Sequence, residues 1–273
     1  MDPNSTDDWD VDILGVRVSA VNMDMALTRI DNLVSKPGSS YVCVTGVHGI
    51  ISSLDDQTTL QIHNDADMVT PDGMPTVWSG KQAGASWMSR VYGPDLLLAV
   101  CQQGLAKGWR HYFYGGGPDV ANVLSASLRE RFPSIKIVGY EEPPMSDFPP
   151  EEVAAVADRL KNSDVDIVWV GLSTPKQERV CASLAKVWPG PVFIGVGAAF
   201  DFHSGRMRQA PKRMQRLGLE WLFRLLTEPR RLWSRYFRIV PLFSWRILRN
   251  PPQLVRHPAT SSPGEAQRTP QSS

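Results

Sequence analysis

Pro191-Val-Phe-Ile-Gly-Val-Gly-Ala-Ala-Phe-Asp-Phe-His-Ser-Gly-Arg206 opens as an unbroken apolar run and closes in a glycine-rich turn that presents Asp201. A short run that is apolar on both alternating faces predicts a strand covered on both sides, the signature of a parallel sheet sandwiched by helices. The same unit recurs upstream. Val165–Val170 predicts a strand, Gly171–Thr174 a turn and Pro175–Val187 a helix. His111–Tyr114, Gly115–Asp119 and Val120–Phe132 repeat that order. Ile135–Tyr140 predicts a strand, Glu141–Pro150 a proline-rich loop and Glu151–Lys161 a helix. Nearer the start, Tyr41–Thr45 and Met68–Thr70 predict strands, and His48–Leu54, Thr76–Lys81 and Leu96–Leu105 predict helices. Val11–Val18 alternates as a strand does. Asn22 or Ser19 can cap a helix through Met25, Leu27, Ile30 and Val34. The pattern is α/β: a Rossmann-like, mainly parallel sheet flanked by helices. Ligands of such sheets sit beyond the C-terminal strand ends, and Thr45, Asp72, Gly115, Gln177 and Asp201 fall in those turns.

Charge divides the chain. Arg206 to Arg249 holds twelve Lys/Arg and only two acids, Glu220 and Glu228, whereas the remainder carries 17 basic and 26 acidic residues. This end of the chain is built to meet something anionic. Leu217, Trp221 and Leu225 share a helical face; beyond Pro229, Leu232, Tyr236 and Ile239 form one stripe and Arg231, Arg235 and Arg238 another. Trp233, Phe237, Phe243 and Trp245 add interfacial aromatics. A pair of short basic amphipathic helices on an anionic bilayer fits this pattern; helices docked on the core with solvated arginines fit it too. A nucleic-acid face is disfavoured by the acidic remainder. The expected organisation is a disordered lead over 1–10, an α/β core over 11–216, a membrane-associating appendage over 217–250 and a disordered Pro/Ser-rich tail over 251–273. The acidic, polar start resembles no signal peptide, no apolar run reaches the roughly 18 residues of a membrane span, and Cys43, Cys101 and Cys181 suit buried free thiols in a reducing compartment. The expected location is cytoplasmic, peripheral to the membrane.

Each candidate residue has a structural reading beside the functional one. Asp72 stands in Pro71-Asp-Gly-Met-Pro75, where it can simply make the turn and cap a helix. Thr174, Pro175 and Gln177 spell a capping box, which also leaves a helix N-terminus beside Lys176 for an anion. Asp65-Ala-Asp67 has the Asp-x-Asp form of a divalent-metal site, but reads as a helix end entering a strand, and no metal site is expected. Tyr114-Gly-Gly-Gly-Pro118 suits a close backbone turn and falls short of a dinucleotide fingerprint. Asp201 can accept ribose hydroxyls or cap a helix.

Gly197-Ala-Ala-Phe-Asp-Phe202, Ala210-Pro211, Leu219-Glu-Trp-Leu-Phe-Arg-Leu225, Glu228-Pro-x-Arg231, Asp72-Gly73, Arg90-Val-x-Gly-x-Asp95 and Pro175-Lys-Gln-Glu178 together resemble the WecG/TagA/CpsF family of bacterial glycosyltransferases, in the family's order, over about residues 12–240. The resemblance implies sugar transfer, with inversion and without metal or other cofactor, from a nucleotide-sugar such as a UDP-sugar. It implies a polyprenyl-diphosphate-linked sugar acceptor at the cytoplasmic face of the membrane, in cell-surface polysaccharide synthesis. It makes Asp72 the base, places Thr45, Arg90 and Gln177 on donor or acceptor and Asp201 on the nucleotide, and implies that Arg224, Arg231 and Arg235 can meet the departing diphosphate. Val47 stands where many members carry Asn, so the donor sugar is not transferred from the resemblance; His48 either replaces that polar group or only begins a helix. A homo-oligomer stays open. The rival classes are a nucleotide-dependent oxidoreductase and a non-enzymatic membrane or nucleic-acid adaptor.

Overall fold

A computed structural model describes residues 9–142, 150–161 and 163–257. The chain runs β1 (Trp9–Ile13), β2 (Val16–Ser19), α1 (Met23–Ser35), β3 (Ser40–Thr45), α2 (Val47–Asp55), α3 (Gln57–Asn64), β4 (Met68–Pro71), α4 (Met74–Gln82) and α5 (Gly93–Lys107). It continues β5 (Arg110–Gly115), α6 (Val120–Arg131), β6 (Lys136–Glu141), α7 (Pro150–Leu160), β7 (Ile167–Gly171), α8 (Lys176–Val187), β8 (Val192–Gly195) and α9 (Ala199–His203). Last come α10 (Lys212–Arg216), α11 (Glu220–Thr227), α12 (Pro229–Arg249) and β9 (Gln253–Arg256).

Six strands form one parallel sheet in the order β4-β3-β8-β7-β5-β6. The expected doubly buried runs are its centre: β3, β7 and β8 are buried at every position. Two apolar layers cover the sheet, one including Tyr41, Cys43, Tyr112, Val168 and Phe193, the other Val42, Phe113, Ile167, Trp169 and Ile194. Alternate residues of one strand thus feed opposite layers, as the two-residue period of a strand requires. The three cysteines are buried and free. At the C-terminal edge, β5 and β7 approach so closely that a Cβ on Gly115 would lie 2.5 Å from Gly171 O, and Gly115 has φ +135°; only glycine fits there.

The ends of the chain correct two expectations. Val11–Val18 is not one strand but a hairpin, turning at Leu14 and Gly15, both with positive φ. Trp9 and Asp10, assigned to a structureless lead, begin β1, and Gln253–Arg256, assigned to a disordered tail, form β9, which pairs antiparallel with β1. Residues 1–8 of that lead, 143–149 of the proline-rich loop and 258–273 of the tail lie outside the described residues. The β1–β9 pairing is closed by His257, whose Nδ1 lies 2.7 Å from Oδ2 of the buried Asp10. Ending the chain at Asn250 removes this partner from a buried carboxyl along with the strand. Stability is expected to fall by about 2–4 kcal/mol, read as a lower urea midpoint; an unchanged midpoint would mean that β9 contributes nothing.

The appendage is not a pair of short helices. α12 has 21 residues and runs through Pro241, where an exposed position lets solvent serve the carbonyl left without its N–H donor. Leu232, Ile239 and Phe243 are buried, and Arg238 pairs with Asp55 of α2 at 2.9 Å. The predicted Leu232/Tyr236/Ile239 stripe is therefore the face docked on the core. Leu217 belongs to the turn after α10, where Gly218 adopts φ +70°, so it does not share the α11 face.

Candidate active site

Asp72 follows β4 directly. Its N–H donates to Thr45 O at 3.0 Å, which sets the ends of β3 and β4 side by side. Its Oδ1 accepts from the N–H of Gly93, the first residue of α5, at 3.3 Å. A Cβ on Gly93 would lie 3.0 Å from Val196 O, so this glycine lets the α5 N-terminus reach the space between Asp72 and the turn after β8. A helix N-terminus favours a carboxylate. Burial outweighs it: the Asp72 carboxyl is pushed up to about 7 by desolvation, with Arg90 pulling down, Glu220 pushing up, and the Gly93 N–H and Arg224 pulling down. A carboxyl tuned near neutrality is suited to accept a proton from a substrate hydroxyl.

Arg90 is held three ways. Its Nε donates to Asp72 O at 3.3 Å, its Nη2 lies 2.6 Å from Glu220 Oε2, and its guanidinium stacks 3.9 Å from the Tyr92 ring centre. Tyr92 Oη donates to the other Glu220 oxygen at 2.8 Å. The Arg90 and Glu220 side chains are only 16% and 15% exposed. Burial and then Glu220 push the Tyr92 phenol up, so it remains a donor at neutral pH. Glu220 is the first residue of α11, and the appendage is thereby fastened at the mouth of the core site.

His48, the second residue of α2, is half-buried and faces the appendage. Burial, then the charges of Arg235 and Arg224, lower its pKa to about 4, so the imidazole is neutral near pH 7. It stands in the first turn of α2, within the field of the Arg235 and Arg224 charges. The charge of Arg224 is felt at Asp72, His48 and Tyr236, and its Nε is buried without a hydrogen-bond partner among the described residues. Arg235 is exposed on α12. The side chain of Arg231 lies outside the described residues.

Other predicted residues sit at the sheet edge but are occupied. The Thr45 side chain is buried, and its Oγ1 lies 3.0 Å from His63 Nε2. His63 Nδ1 lies 2.9 Å from Thr59 O and 3.1 Å from Ser53 Oγ, so both ring nitrogens are engaged. Gln177 is buried; its Oε1 accepts from Gly197 N–H at 2.8 Å and its Nε2 donates to Glu178 Oε1 at 3.2 Å. The expected capping box is absent. Thr174 Oγ1 bonds Glu178 instead, at 2.9 Å, and the helix starts at Lys176. Gln177 thus shapes the Gly197 turn that leads to Asp201, which is half-buried on α9. Asp65 and Asp67 lie before β4, at the opposite end of that strand from Asp72. Asp67 Oδ2 accepts from Tyr41 N–H at 3.1 Å, and Asp65 accepts from Gln61 at 3.3 Å.

The sheet edge with Asp72, Arg90 and the glycine turns, closed by a basic appendage, can be compared with known proteins as a whole. The chain matches the Glycosyl transferase WecG/TagA/CpsF family over residues 11–256. It belongs to that family. The matched span takes in most of β1 and all of β9, so the small antiparallel sheet is part of the unit. The chain is also similar to the N-acetylglucosaminyldiphosphoundecaprenol N-acetyl-beta-D-mannosaminyltransferase of Bacillus spizizenii, 34% identical over 187 residues, 68% of this chain and 70% of the relative. The protein is a glycosyltransferase, and the oxidoreductase and adaptor readings fall away. Sequence reasoning singled out Asp72, Arg90 and the appendage arginines as candidates, their roles implied by the family resemblance. It gave no role to Glu220, Tyr92 or His63, although an acid retained inside so basic a segment was a signal for Glu220.

Proposed function

We propose that this enzyme moves a sugar from a nucleotide-sugar, a UDP-sugar, to a polyprenyl-diphosphate-linked sugar at the inner membrane surface, inverting the anomeric centre in one displacement without a metal. The observation that carries the reading is Asp72, a carboxyl tuned to about 7 at the C-terminal edge of a parallel sheet and within the field of the appendage's Arg224. The acceptor hydroxyl attacks the anomeric carbon as the bond from that carbon to the diphosphate oxygen breaks. Asp72 takes the hydroxyl proton, and the nucleoside diphosphate departs with its electron pair. Arg224 of α11 and Arg235 of α12 supply the fixed positive charge that the departing group needs, a part the family resemblance also gives Arg231. Asp201 accepts the ribose hydroxyls. Thr45 and Gln177 support the site by holding its turns, and Arg90 stays at its edge with Asp72.

The acceptor class follows the name of the B. spizizenii relative, which specifies a sugar carried on diphosphoundecaprenol. Its mannosaminyl donor is not adopted, because Val47 replaces the polar residue that many relatives carry at the donor side. Membrane contact is supported by the stripe Trp233, Phe237, Val240 and Leu248 along the undocked side of α12, where Phe237 is 74% and Leu248 82% exposed. Such aromatics beside arginines suit the bilayer interface, and among the described residues no helix is long and apolar enough to cross a membrane. The metal-free reading is supported by the position of Asp65 and Asp67, remote from Asp72 and engaged elsewhere.

Calorimetric titration of UDP and NAD, with and without EDTA, tests this. UDP binding that survives EDTA, with NAD silent, is expected. Binding abolished by EDTA would overturn the metal-free reading, and no UDP binding would overturn the donor.

A further inference from the structure

Glu220 is an acid placed where the reaction needs positive charge, and its geometry accounts for it. Arg90 lies beside Asp72, yet among the described residues its guanidinium makes no ion pair with the Asp72 carboxyl. Nε is directed to the main-chain oxygen of Asp72 at 3.3 Å, and Nη2 is taken by Glu220 at 2.6 Å. The Tyr92 hydroxyl fixes the second Glu220 oxygen at 2.8 Å, and the Tyr92 ring lies under the guanidinium at 3.9 Å. Among the described residues, the Asp72 carboxyl keeps a 3.3 Å bond from the Gly93 N–H. We infer that Glu220 is a positioning residue: from the appendage it occupies Arg90 and so leaves the Asp72 carboxylate unpaired and available to the acceptor hydroxyl. The inference rests on the reading of Asp72 as the base.

The consequence is a coupling between appendage and core. When α11 is seated, Arg90 is neutralised by Glu220. When α11 is displaced, Arg90 is left with Asp72 as its nearest carboxylate, and a paired carboxylate is a poorer base. The charged and titratable groups facing Asp72 are Arg90 and Tyr92 from the segment before α5, and Glu220 and Arg224 from α11. Of these, Glu220 is the one whose loss moves Asp72 toward the ordinary carboxylate range. The base is active when deprotonated, so lowering its pKa moves the acid limb of the rate profile to lower pH and lowers the plateau.

The test is the pH profile of kcat for wild type, E220Q, R90Q and the double variant on the lipid acceptor. E220Q is expected to lower the plateau about tenfold or more and to move its acid limb down by about one pH unit. R90Q/E220Q is expected to be no worse than R90Q alone, because Glu220 acts through Arg90. E220D, which keeps the charge, should restore the limb toward the wild-type position. Protease protection of α12 in each variant reports whether the appendage is seated. An E220Q limb at the wild-type position, with losses that add in the double variant, overturns the inference whether or not the appendage is seated. An absent acid limb in wild type, or an active D72N enzyme, would instead overturn the base reading, and the two failures are distinct.

Discussion

D72N abolishes transfer while leaving UDP affinity near wild type: kcat is expected to fall by about 10²–10⁴, the range of a lost general base. The substitution keeps the shape of the side chain, and the asparagine oxygen can still accept from the Gly93 N–H. What is lost is the ability to take a proton. The same carboxyl sets the pH dependence. Desolvation raises it to about 7, with Arg90, Glu220, the Gly93 N–H and Arg224 as the opposing and assisting charges. Below that pH the base is protonated and idle, so kcat/KM rises with pH through about 7 and then levels, and at one unit below it stands at about a tenth of the plateau. A flat wild-type profile from pH 5 to pH 8 would remove Asp72 from the role of base, however severe D72N proved.

The sheet was legible because its strands are local objects. Val192–Gly195 and Ile167–Gly171 are apolar on both faces and bounded by turns, so a window of a few residues identifies them. β9 is not local. Gln-Leu-Val-Arg alternates weakly within a proline- and serine-rich context, and it is a strand only because β1 pairs with it, the closing Asp10–His257 contact spanning 247 residues. The Thr174–Gln177 segment shows local propensity overridden. It spells a capping box, but Gly197 across the sheet edge recruits Gln177 and Glu178 takes Thr174. Asp72 illustrates the opposite limit. Its residue type and turn were visible, and its chemistry was not, because that depends on burial and on charges from two distant segments, residues 90–93 and α11. Thr45 was visible as a hydroxyl at a strand end; only the fold reveals that His63 occupies it. For Glu220 the sequence offered an exception to the local charge, and the partner that explains it lies 130 residues away.

Arg224→Gln is expected to lower kcat by about 10²–10³, the cost of removing one preorganised donor from a developing charge, with the loss equal on a lipid acceptor in vesicles and on a soluble short-chain analogue. Three features favour a role for the residue in the chemistry over one at the bilayer. Its charge acts on both Asp72 and His48. Its Nε is buried without a partner among the described residues, and a buried donor of that kind is expected to have one; a diphosphate oxygen meets that need. The neutral His48 beside it adds no competing charge and can donate or accept without titrating near pH 7. The exposed stripe of α12 should behave differently. Serine at Trp233 and Phe237 removes apolar area that faces solvent in this fold, so turnover of the soluble analogue should stay near wild type while activity in vesicles falls about tenfold. The contrast separates completing the active site from finding the membrane. If Arg224→Gln lost activity only in vesicles, the residue would belong with the stripe and the diphosphate would need another cation. If neither acceptor were affected, the fastening of α11 to Arg90 and Tyr92 would serve positioning through Glu220 alone.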